Sequence, residues 1–235
     1  MQSFLNELAV IDIVALTWFL ICWGGYNWFS SYGARAQRSL VGASHAYRLQ
    51  WARQFLNREN RVSDSSLTGN LMASVSFYAN TTIYVIAGLM ALWSALDQTM
   101  GIVSDLPFAR QSAKALWELR LVLLIFVFIF AYFKFTWALR EFNLLSLMMG
   151  GAPDAKSVAA AEHGYSNYAR KMAAVNSMAG EEFNRGVRSY YFGLAALAWF
   201  IQPWFFIAAT TLVVVVLYRR DYASPLLEIM TPDAD

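Results

Sequence analysis

Apolar residues in this chain are gathered into runs rather than spread evenly. Four runs match the length of a bilayer crossing, at about residues 9–29, 71–96, 121–139 and 191–217. Roughly 20 helical residues at about 1.5 Å each cover the ~30 Å hydrocarbon core, so each run predicts a membrane helix. The first ends in Trp23, Tyr26, Trp28 and Phe29, an aromatic belt of the kind found at a membrane surface, beside Gly24 and Gly25. The third contains LVLLIFVFIFAYF, the densest apolar stretch of the chain, and Lys134 ends it.

The fourth run is longer than one crossing needs and too short for two, and Gln202-Pro203 sits near its middle. One kinked or tilted helix is expected there, with a re-entrant hairpin about Pro203 as the alternative.

Two connecting segments, about 30–66 and 140–190, also carry helical signals. Leu40, Ala43, Tyr47, Trp51 and Phe55 recur at spacings of three and four and share a face, opposite Arg35, Arg38 and Arg53. Residues 155–188 are rich in Ala, Met and charge and hold no Pro. The chain is therefore expected to be one all-α membrane domain over 1–235: a bundle of about four transmembrane helices with helical cytoplasmic extensions, the latter forming a cap.

Charge orients the bundle. Residues 30–66 hold Arg35, Arg38, Arg48, Arg53, Arg58 and Arg61, and residues 140–190 hold Arg140, Lys156, Arg170, Lys171, Arg185 and Arg188. The other side receives Arg110, Lys114 and Arg120, together with Arg219 and Arg220 if the fourth run crosses once. The excess of Lys and Arg marks the two connecting segments as inside and predicts both termini outside, in a cytoplasmic (inner) membrane. Met1 to Leu8 carry no Lys or Arg, so the first run lacks the basic start of a cleaved signal and is expected to stay in the mature protein.

Composition agrees: 58% of residues are hydrophobic and 14% charged, against roughly 45–50% and about 25% in soluble domains. One cysteine, Cys22, and two histidines, His45 and His163, exclude a disulfide framework, a zinc cluster or paired haem ligands. No cofactor is expected. The basic residues flank apolar runs and form no aromatic-interleaved groove, so nucleic acid is not an expected partner.

Three stretches carry a family resemblance: NLMASVSFYANTTIYVIAGLMAL, ELRLVLLIFVFIFAYFKFTWALREFNLLSLMMG and FNRGVRSYYFGLAALAWF. They resemble a widespread group of bacterial and plant multi-span membrane proteins known only as a domain of unknown function, over roughly residues 10–222. The resemblance implies about four spans and a sizeable inside portion, and brings no activity or site residue with it.

Candidate chemistry lies in a few polar positions. Asn70, Ser74, Thr81 and Tyr84 form one stripe on the second span, ending at Gly88, with Ser76 and Asn80 beside it. Polar groups in hydrocarbon need partners, so this face should meet the bundle, another subunit or water, either lining a path or packing. Lys134 either snorkels to the boundary or pairs with a carboxylate or an anion. Asp12 is the one acid inside an apolar run, while Arg110, Lys114, Glu118 and Arg120 form a charged collar near the outer end. Gln202, before Pro203, marks a break whose freed carbonyls can coordinate an ion. Arg185 and Arg188 form a basic cluster at the inner mouth of the fourth run, serving topology or binding an anion, a lipid headgroup or a partner.

No nucleophile elbow, zinc-protease motif, phosphate loop or kinase signature is present, so no enzymatic activity is expected. The expected function is an oligomeric channel or transporter for ions or small solutes. The alternatives are an accessory subunit of a larger membrane complex, whose cap recruits a protein partner, and a lipid- or quinone-binding protein. Membrane lipids and further copies of the chain are the expected partners.

Overall fold

The computed structural model describes residues 10–31, 39–104, 113–160 and 165–230. Among them are nine α-helices and no strand. They are α1 (Val10–Ser31), α2 (Leu40–Asn57), α3 (Val62–Ser94), α4 (Leu96–Ser104), α5 (Lys114–Gly150), α6 (Ala155–Ala160), α7 (Ser166–Leu197), α8 (Pro203–Tyr222) and α9 (Pro225–Met230). A 3-10 turn, Ala198–Phe200, follows α7. The protein is an all-α membrane bundle, and four of its helical segments are long and apolar enough to cross a bilayer: Val10–Ser30, Val62–Ser94, Lys114–Gly150 and Pro203–Met230.

Helices α3, α5 and α7 form the shaft, with α5 antiparallel to the other two. At one end Thr68 of α3 donates to Met149 of α5 (3.3 Å) and Tyr168 of α7 donates to the Met148 carbonyl (2.6 Å). Further along, the Tyr78 ring packs at a tilt against Phe135 and edge-on against Phe183. The shaft is longer than a membrane is thick: the 37 residues of α5 extend roughly 55 Å. The expected third span, 121–139, is thus the middle of a helix that continues to Gly150.

The remaining helices divide the shaft into two storeys. α1 and α8 join its Asp12 end, around a core that includes Phe19, Trp23, Phe128, Phe192, Trp199 and Phe206. α2 joins the opposite end, where Ala52, Phe55, Phe135, Phe142, Leu145 and Met172 make a second core. The outer surface of the first storey is apolar: Ile21 is 60% exposed, Phe126 55%, Phe133 63% and Leu212 61%. Such a continuous apolar exterior is a surface for lipid.

The fourth apolar run does not cross as one kinked helix. α7 ends at Leu197, Gln202 takes an extended conformation (φ −153°, ψ 147°), and Pro203 starts α8. Proline fixes the first-turn φ, offers no N–H and pushes the preceding residue out of the helical region, so Gln202-Pro203 both ends one helix and begins another. α8 then folds back beside α7: Arg220 Nη1 donates to the Tyr191 hydroxyl at 2.6 Å, 29 residues earlier. Arg219 and Arg220 consequently lie at the same end of the first storey as Arg185 and Arg188, which removes their conflict with the charge rule. The described chain ends, Val10 and Met230, stand at opposite ends of the bundle, since Asp12 meets Trp199 whereas Met230 lies with Leu40 and Arg220.

Candidate functional site

Where the two cores meet, a layer of charge crosses the bundle. α7 places Glu181, Glu182, Arg185 and Arg188 three, four and seven residues apart, so their side chains point the same way. Arg185 donates to Glu181 (3.3 Å) and to Glu182 (2.7 Å). Lys134 of α5 reaches the other oxygen of Glu182 at 2.8 Å. Arg188 donates from Nη1 to Ser30 (2.9 Å) and Glu181 (3.3 Å), and from Nη2 to Asp221 of α8 (3.2 Å). The Tyr26 hydroxyl donates to the same Asp221 oxygen at 2.7 Å. Three cations thus face three carboxylates, and charges withdrawn from water in this way persist because each is paired and hydrogen-bonded.

The layer bears on two of the candidate positions. Lys134 pairs with the Glu182 carboxylate within the bundle, its side chain being 24% exposed. Arg185 and Arg188 are engaged by acids of the same chain and are not an open basic cluster. Sequence reasoning passed over Glu181, Glu182, Asp221 and Ser30. The signal for the first two was present in the i, i+3 and i, i+4 spacing of Glu and Arg along 181–188. Nothing local marks Asp221 or Ser30, because their partner comes from another helix.

The polar stripe of α3 faces away from its own bundle. Asn70, Ser74, Asn80 and Tyr84 are exposed and Thr81 is half-exposed, while the opposite face buries Asp64, Thr68, Val75, Ala79 and Thr82. Ser74 satisfies itself by donating to the Asn70 carbonyl at 3.0 Å. A path through the centre of one chain is therefore not what this stripe lines. Gln202 acts at the hairpin turn through its backbone, whose N–H donates to Ala198 and whose carbonyl accepts from Phe206, both at 3.2 Å.

At the far end of the first storey Asp12 and Arg120, each 1% exposed, meet at 3.5 Å, and Trp199 donates to Asp12 at 2.9 Å. Arg120 is accordingly buried in the core and not part of an exposed collar. Lys114 pairs with exposed Asp97 at 2.7 Å. Arg35, Arg38, Arg110 and His163 lie outside the described residues.

Helix α2 stands clear enough of the shaft to leave cavities on both sides. On one side a cavity of about 580 Å³ is lined by His45, Glu141, Glu181, Glu182 and Arg185, the last paired with Glu181 and Glu182. No group of three or more His, Cys, Asp or Glu suited to a metal ion occurs among the described residues. On the other side, between α2 and the first turns of α3, a groove of about 550 Å³ is lined by Tyr47, Trp51, Leu67, Leu71, Val75 and Phe183, with Asn70 and Ser74 at its rim. Next to it a cavity of about 320 Å³ holds Arg48, Arg188 and Arg220 together with Asp221.

Against this geometry, the family model for proteins of unknown function DUF599 matches residues 14–226. The chain belongs to the DUF599 family. Neither the curated proteins nor the solved structures contain a match. For DUF599 the match extends from within α1 to α9, so the hairpin of α7 and α8, the charge layer and the groove all fall inside the family domain.

Proposed function

We propose that this DUF599 protein is a membrane protein that binds a lipid-like amphiphile in the lateral groove between α2 and α3. The observation that carries this reading is the groove's place and lining: about 550 Å³ of largely apolar and aromatic wall with a polar rim, just beyond the charge layer. Concave, mostly apolar sites with a few convergent polar groups are where small molecules bind, and one opening beside a bilayer draws its ligand from it. With the connecting segments inside, as the distribution of Lys and Arg supports, the first storey spans an inner membrane. The groove then lies at the cytoplasmic surface, and an acyl chain seated in it has left the bilayer. No catalytic role is assigned to it.

The test is native mass spectrometry of the protein released from detergent. One lipid-mass adduct per chain is expected, absent from Ser74→Trp, whose indole fills the groove from an exposed position. An adduct retained by the variant, or lacking in the parent, would sink the proposal.

A second reading follows from outward Asn80, Thr81 and Tyr84, which are polar on a face otherwise turned to lipid. Further copies of the chain would cover it and form a channel or transporter along their symmetry axis. Single cysteines at Asn80 and Tyr84 should then cross-link between copies in native membranes. If those positions label with lipid-phase reagents and never cross-link, the stripe faces lipid and this reading falls.

A further inference from the structure

The lateral groove and the arginine-lined cavity next to it share part of their lining. Both are lined by Ser44, Arg48 and Asn184, so they are contiguous, with Arg48 at the junction. From this junction one direction is apolar, towards Trp51, Leu71 and Phe183, and the other is cationic, towards Arg188 and Arg220.

Arg48 is held at the junction by packing. Its guanidinium lies against Gly180 of α7, where any Cβ would stand 2.5 Å from Nη2. Glycine in a helix interior costs about 1 kcal/mol relative to Ala, so its presence here is explained by the space that Arg48 occupies. Nη1 is shielded from water and has no hydrogen-bond partner among the described residues. A guanidinium can donate five hydrogen bonds, and leaving a buried donor unmade costs on the order of 1–3 kcal/mol. Burial pulls the basicity of Arg48 below its ordinary value, with the Glu181 carboxylate pulling the other way. Glu181 is already bonded to Arg185 and Arg188, and Asp221 to Arg188 and Tyr26. The acids nearest to Arg48 are thus committed elsewhere, and positive charge dominates the wall formed by Arg48, Arg188 and Arg220.

Resting on the amphiphile reading above, we infer that the ligand is an anionic amphiphile, with a phosphate-bearing headgroup against Arg48 and Arg220 and an acyl chain in the groove beside α3. The fork of a guanidinium matches phosphate oxygens in pairs, and Arg220 sits at the end of α8 where the headgroup layer of the inner leaflet begins. A zwitterionic lipid would bring a second cation into a wall that is already positive.

The experiment measures binding of short-chain phosphatidylglycerol, short-chain phosphatidylcholine and inorganic phosphate to the purified full chain. The parent should favour phosphatidylglycerol by about tenfold or more, since both lipids offer a phosphate and phosphatidylcholine adds a quaternary ammonium that the arginine wall repels. Arg48→Gln should abolish that preference while still binding phosphatidylcholine, and Arg48→Lys should keep much of it. Ser74→Trp should lose both lipids. No preference in the parent, or a preference unchanged in Arg48→Gln, overturns the headgroup assignment and leaves the groove reading standing. Loss of preference in Arg48→Gln with normal lipid binding by Ser74→Trp overturns the groove instead. Inorganic phosphate competing as strongly as the lipid overturns the acyl-chain half and identifies a free-anion site.

Discussion

Arg188 Nη2 lies 3.2 Å from Asp221 Oδ2, joining the chain on its way into the hairpin to the chain on its way out. The pair fixes the end of α8 beside the middle of α7, at the level of Ser30. It thereby sets at which end of the first storey the helix after Tyr222 begins.

Cysteine labelling with a membrane-impermeant reagent tests this geometry. Cysteines at exposed Glu228 and Asp154 should label from the same side, and a cysteine at exposed Asp97 from the other. Labelling of Glu228 together with Asp97 would require the fourth run to cross once and would contradict the hairpin.

The Asp12–Arg120 ion pair is buried on both sides, at 1% exposure each. Removing one member leaves a charge in an apolar core, which costs about 3–5 kcal/mol, whereas replacing both with hydrocarbon is close to neutral. Asp12→Leu and Arg120→Leu should therefore each lower the thermal midpoint in detergent sharply. The double variant should recover most of the loss, short of complete because Trp199 Nε1 loses its acceptor. Additive losses in the double variant would show that the two side chains are not coupled.

Gly186 faces the Phe135 ring so closely that a Cβ would overlap it. Helix propensity favours Ala at this position by about 1 kcal/mol, yet overpacking costs about 1–3 kcal/mol. Gly186→Ala should accordingly destabilise the protein, and Phe135→Leu should restore part of the loss when combined with it. A stabilised Gly186→Ala would mean that α5 and α7 pack less tightly than described.

Long-range contacts mark the limit of what the residue pattern discloses. Apolar runs and their lengths identify the membrane-spanning helices because hydropathy acts locally and additively. Gln202-Pro203 carried the hairpin in its backbone chemistry, but run length favoured a single helix, and the Arg219-Arg220 pair was the sign against it. For Lys134, helix position alone left snorkelling and pairing open; the choice was made by Glu182, 48 residues away on another helix. Asn70 and Ser74 were recognisable as a polar stripe, yet which way α3 turns depends on Asp64, Thr68 and Thr82 finding partners on the opposite face. The groove itself was not legible, because its walls come from α2, α3 and α7 and its cation, Arg48, looks like one more topology signal.

The most direct measurement of the central claim is photo-cross-linking of the protein in native membranes with a phospholipid carrying a diazirine on its acyl chain, mapped by peptide mass spectrometry. Cross-links on Tyr47, Trp51, Leu71 and Phe183, lost in Ser74→Trp, are the predicted result. Cross-links confined to outward residues such as Phe126, Phe133 and Leu212, unchanged in that variant, would contradict the account.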